Sequence, residues 1–213
     1  MKTSLHSVGW VLLGVAALLG GCADTAATAD GGVESNMAPV KLAHVVCATC
    51  HGFDGNSVSP QFPKLAGQQR EYLVAQLTDF KGHARADIKG QQFMWGFTRL
   101  SHEQIEGLAD YFSSQVTMRG HGMPQGDRGA TLFLQGASDA NVVACMTCHG
   151  AKAEGNGPFP RLAGQHADYV YKQLIVFQTT NDRPRGAPMK VITHNLSETD
   201  AKALAEYVAT LGQ

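Results

Sequence analysis

Charge is scarce in this chain. Asp, Glu, Lys and Arg make up 16% of its 213 residues, where about a quarter is usual. Its 17 basic side chains face 18 acidic ones, with no basic stripe, so nucleic-acid binding has no electrostatic footing. A long apolar run is also missing. The one candidate, residues 8–19, covers about a dozen positions, whereas a membrane-crossing helix needs about 20. That excludes a polytopic membrane protein. A disordered chain is excluded too, because 44% of the residues are hydrophobic. The length leaves room for one large domain or two small ones.

The N-terminus reads as a processing signal. Lys2 and a polar stretch precede the apolar run, which ends in Leu19-Gly20-Gly21-Cys22. That order predicts a signal peptide over residues 1–21 and export. The Leu-Gly-Gly-Cys ending resembles a bacterial lipobox, which implies lipidation at Cys22 and an anchor on a bacterial membrane surface. Plain cleavage nearby, leaving Cys22 idle, is the alternative. Residues 22–37 are small and polar and predict a flexible tether. A chain beginning at Cys22 carries 16 basic against 18 acidic side chains, a net charge of −2.

Four of the five cysteines form two copies of one motif, Cys47-Ala48-Thr49-Cys50-His51 and Cys145-Met146-Thr147-Cys148-His149. C-x-x-C-H is the attachment signature of c-type haem. On a helical turn the two thiols reach the two vinyl groups of one porphyrin, and the adjacent His enters beneath the iron. A thioredoxin-like pair would need a βαβ context, which is missing. A zinc site would leave the two histidines unexplained, and the 94 residues between the pairs exceed ribbon spacing. The prediction is two covalent haems.

The chain is also a duplication. Residues 62–68 (FPKLAGQ) match residues 159–165 (FPRLAGQ), and Tyr72, Leu77 and Phe80 match Tyr169, Leu174 and Phe177, all at an offset of 97. Two like domains follow, over residues 38–117 and 127–213, with a Gly- and Pro-marked linker at 118–126. Both are expected to be all-α. Ser101 opens a capping box with Gln104 ahead of the stripe Ile105, Leu108, Ala109 and Phe112. Ser197 caps the equivalent stripe, Ala201, Leu204, Ala205 and Val208. Residues 71–80 and 168–177 read as mid-domain helices.

His51 and His149 are the expected proximal ligands, and Met94 and Met189 the expected distal ones. Each Met is the only one between its haem motif and its final helix, six residues before Leu100 and seven before Leu196. A thioether favours reduced iron. His44, His83, His102, His121, His166 and His194 occupy no matching positions in the two repeats; His194 is the one alternative near Met189. An axial imidazole donates its other N–H, and the carbonyls of Pro63 and Pro160 are the expected acceptors. Arg85 and Arg183 follow the mid-domain helices and are expected to pair with haem propionates, the alternative being solvated surface charge.

These motifs, with F-P-x-L-A-G-Q, Y-x-x-x-Q-L-x-x-F, a Met and an L-S capped helix in each repeat, resemble the two-domain bacterial cytochromes c of the cytochrome c4 type. The resemblance covers nearly all of residues 38–213. It implies a tandem of class I cytochrome c folds with neighbouring haems. It assigns Cys47, Cys50, Cys145 and Cys148 to attachment, and His51, Met94, His149 and Met189 to the irons. It further implies a periplasmic carrier between a respiratory donor and a terminal oxidase or reductase. A fixed subunit of a membrane-associated dehydrogenase or oxidase is the alternative. A two-haem peroxidase is disfavoured because both repeats carry a Met.

Overall fold

A computed structural model describes residues 36–97, 99–123 and 126–212. The signal peptide, Cys22 and nearly all of the tether lie outside the described residues. Pro39, at a position where its missing N–H costs nothing, opens α1 (Pro39–Leu42). The helix continues through a π turn, Ala43–Cys47, into α2 (Ala48–His51). Then come α3 (Arg70–Lys81), α4 (Ile88–Met94) with a 3-10 turn at Trp95–Phe97, and α5 (His102–Ser113). The second half runs α6 (Arg128–Gln135), α7 (Met146–His149), α8 (Ala167–Thr179), a 3-10 turn at Pro184–Gly186, α9 (Ala187–Thr193) and α10 (Glu198–Thr210). Among the described residues there is no strand, only isolated bridges at Ala137–Val142 and Asn156–Phe159. The fold is a tandem of two helical domains.

Each domain closes on its last helix. In the first, α1 and α3 pack on α5, and Leu42, Ala43, Leu73, Leu100, Ile105, Leu108, Ala109 and Phe112 form one buried cluster. In the second, α6 and α8 pack on α10, around Leu132, Phe133, Leu174, Leu204 and Val208. All eight stripe residues expected on the two capped helices are buried. The Ser101 hydroxyl accepts the Gln104 N–H and the Gln104 side chain returns the bond; the Ser197 hydroxyl accepts from the Asp200 N–H.

Residues 118–123, expected as linker, lie along both domains. Met118 is fully buried and its N–H reaches the Ala66 carbonyl at 3.3 Å, while the His121 N–H reaches Ala209 at 3.1 Å. Backbone groups that meet between two packed domains must be satisfied there, so this stretch is pinned to one domain at Met118 and to the other at His121.

Candidate functional site

Each C-x-x-C-H sequence occupies a short helix that ends at the histidine. Gly52 and Gly150 follow at φ +79° and +81° and turn the chain back. The four described cysteines carry no disulfide. Burial pushes the Cys47 and Cys145 thiols up to about 11. His51 and His149 are 8% and 6% exposed. Their Nδ1 atoms lie 2.9 Å from the carbonyls of Pro63 and Pro160. A carbonyl only accepts, so Nδ1 carries the proton and Nε2 keeps its lone pair. Burial holds both imidazoles below their ordinary pKa, outweighing the proline bonds, which act the other way. A buried, neutral imidazole with one free lone pair beside two unpaired thiols is the donor set that a covalent haem needs. Arg161 Nε, buried without a partner, is the kind of donor that an anionic edge group satisfies.

Each residue of the repeated F-P-x-L-A-G-Q segment has a place in the site. Phe62 and Phe159 stand edge-on to the histidines, with centroids 6.2 and 6.4 Å away. The prolines supply the acceptor carbonyls. Ala66 and Ala163 are fully buried. Gly67 and Gly164 adopt φ +63° and +79°, and a Cβ on either would come within 2.7 Å of Thr117 Cα or Met118 O. The terminal glutamine of each segment crosses to the other domain. Gln165 accepts the Lys64 N–H at 2.8 Å and donates to the Lys64 carbonyl at 2.9 Å. Gln68 accepts the Arg161 N–H at 2.6 Å and donates to its carbonyl at 3.0 Å.

Met94 ends α4 and Met189 lies in α9; both are half-buried, and Met189 packs against the core of its domain. The remaining described histidines are placed otherwise. His44 stacks on Phe53 at 3.8 Å and bonds the Tyr111 hydroxyl. His83 stacks on Trp95 at 4.4 Å. His166 is buried against the Ser57 carbonyl, 6.1 Å from the His121 ring. His102 and His194 are exposed.

Arg85 and Arg183 meet between the domains. Arg85 donates to Asp87, Gln76 and Gln173, and Arg183 donates to Gln173 and Gln76. Each guanidinium lies over a ring of its own domain, Phe80 at 4.6 Å and Phe177 at 4.7 Å. Arg185 adds an ion pair to Asp79 across the junction at 2.7 Å. Sequence reasoning missed Gln68, Gln76, Gln165, Gln173 and Arg185. The signal was present for the glutamines, since each is a polar residue repeated at the offset of 97.

The comparisons agree with this geometry. The profile of the cytochrome c family matches residues 40–115 and again 126–212. Cytochrome c4 of Stutzerimonas stutzeri is 37% identical over 196 residues, covering 87% of this chain and 91% of the relative. The thiosulfate dehydrogenase electron acceptor of Stutzerimonas stutzeri (strain A1501) is 34% identical and covers 98% of both chains. The crystal structure of reduced recombinant cytochrome c4 from Pseudomonas stutzeri superimposes with a TM-score of 0.73, at 36% identity, over 84% of this chain and 99% of that one.

Proposed function

The chain belongs to the cytochrome c family as a two-domain, two-haem electron-transfer protein of the cytochrome c4 type, and we propose that it carries electrons in the periplasm, between respiratory complexes and towards a terminal oxidase. The observation that carries this reading is the paired arrangement at His51 and His149. Each is buried, fixed at Nδ1 by a proline carbonyl, and left with Nε2 alone to bind iron. When bound, the haems supply reversible one-electron exchange between ferrous and ferric iron.

Everything else is done by the chain. Cys47 and Cys50 would hold one group as thioethers, and Cys145 and Cys148 the other. His51 and His149 would each supply an iron ligand through Nε2, and the thioethers of Met94 and Met189 would supply the second. With both iron ligands drawn from the protein, the bound haems would exchange electrons without binding a substrate. Residues 38–117 carry 7 basic and 7 acidic side chains, and residues 118–213 carry 9 and 8. Long-range steering of a partner is therefore weak, and docking rests on apolar surface. A lipid at Cys22 would confine this traffic to a membrane surface. The relative named as an electron acceptor of thiosulfate dehydrogenase, alike over 98% of its length, favours a second reading in which the donor is a dehydrogenase of that kind.

The test is the optical spectrum of purified holoprotein, oxidised and reduced, with haem quantified per chain. Two low-spin haems with a Met–Fe(III) charge-transfer band, inert to carbon monoxide, are expected. A high-spin fraction that binds carbon monoxide would overturn a Met assignment and favour an enzyme.

A further inference from the structure

The glutamine that crosses the junction does more than hold two domains together. The peptide unit between Pro63 and Lys64 has two ends. Its carbonyl accepts from His51 Nδ1 at 2.9 Å, and its N–H donates to Gln165 Oε1 at 2.8 Å. The unit between Pro160 and Arg161 is engaged in the same way, by His149 at 2.9 Å and by Gln68 Oε1 at 2.6 Å. Each glutamine also donates back to the next carbonyl, so its amide plane is fixed. Both glutamines are buried, Gln165 at 3% and Gln68 at 5% exposure, so water does not compete for these bonds.

We propose that Gln165 and Gln68 are positioning residues that tune the haem of the opposite domain through the Pro63–Lys64 and Pro160–Arg161 peptides. A peptide whose N–H is engaged is polarised and becomes a better acceptor at its oxygen. A better acceptor draws the Nδ1 proton of the axial histidine and makes the imidazole a stronger donor to iron. A stronger donor stabilises the ferric state and lowers the potential. The potential of each haem therefore depends on a side chain in the other domain, and any shift of the domain junction changes both. This rests on His51 and His149 being the axial ligands.

The experiment is an NMR-monitored redox titration of holoprotein, following the haem methyl resonances of each haem separately. Gln165→Met and Gln68→Met keep side-chain volume and remove the bonds. Gln165→Met is expected to raise the potential of the His51 haem, a shift on the order of twofold in its reduced-to-oxidised ratio, and to leave the His149 haem where it was. Gln68→Met is expected to do the reverse. The Nδ1 proton resonance of the affected histidine should move towards that of a weaker hydrogen bond in the same variant. A shift confined to the variant's own domain, an equal shift in both haems, or no shift overturns the proposal. Should either variant fail to fold, amide exchange in the wild type decides. Protected Lys64 and Arg161 amides are required, and exchange at the rate of an open loop overturns the idea. Failure of the ligand assignment would show separately, as a wild-type spectrum without histidine-ligated low-spin haem.

Discussion

Arg85 is buried, and Asp87, 2.8 Å from its Nε, is the carboxylate facing it. Burial pushes the Asp87 carboxyl up, but the Arg85 guanidinium, Arg183 and the Gly90 N–H outweigh it and hold the group below its ordinary value. A depressed carboxylate contributes stability that is present above its unfolded pKa, about 4, and lost as pH falls through the lower folded one. Acid melts should therefore show wild type losing stability below about pH 4, with Asp87→Asn flatter in that window. Asp87→Ala, which strands a buried cation, should cost about 3 kcal/mol in chemical denaturation. Met94→Ala should open a carbon monoxide site on one haem and leave half of the Met–Fe(III) band; Met189→Ala should do the same for the other haem. At this scale the attachment motifs were legible because their chemistry is local. The glutamines were not understood, because Gln165 and Gln68 find their partners 101 and 93 residues away. The place of Arg85 and Arg183 after a helix suggests propionate partners and says nothing of a partner in the other domain. Nothing local discloses that they share Gln76 and Gln173 across a junction.

The long helices were legible in advance, two by a capped start ahead of an apolar stripe and two by the repeat itself, and the short ones were not. The mid-domain helices read as residues 71–80 and 168–177 run Arg70–Lys81 and Ala167–Thr179. The Met-bearing helices α4 and α9, seven residues each, are too short for a period to emerge. The π turn at Ala43–Cys47 adds a residue to one helical turn ahead of the first haem motif, a feature with no propensity signal. Removing a cap tests the capped helices directly. Ser101→Ala and Ser197→Ala should each lower stability by about 1 kcal/mol in denaturant titrations. The two losses should be alike, since Ser101→Ala keeps the backbone N–H that the Gln104 side chain accepts. Gly164→Ala puts a Cβ at φ +79° against the Met118 carbonyl and should cost at least as much as a lost cap.

Two separate buried clusters, one per domain, are thin support for helices of four to thirteen residues. The all-serine variant at Cys47, Cys50, Cys145 and Cys148 should therefore show little cooperative unfolding by circular dichroism, while holoprotein melts sharply. A well-dispersed NMR spectrum of that variant would contradict this. The duplication was plain from the offset of 97, but the way its halves meet was not. Lys64 is gripped by Gln165 while Arg161 is gripped by Gln68, each half giving the other what it receives. A contact of that form is what a twofold axis produces between identical chains. Two loose copies of one such domain could make every one of those glutamine bonds with each other. The peptide between them adds Met118 and Arg119 to that junction and sets an effective concentration on the order of millimolar. In that sense the molecule is a homodimer written as a single chain, free to let its two halves diverge.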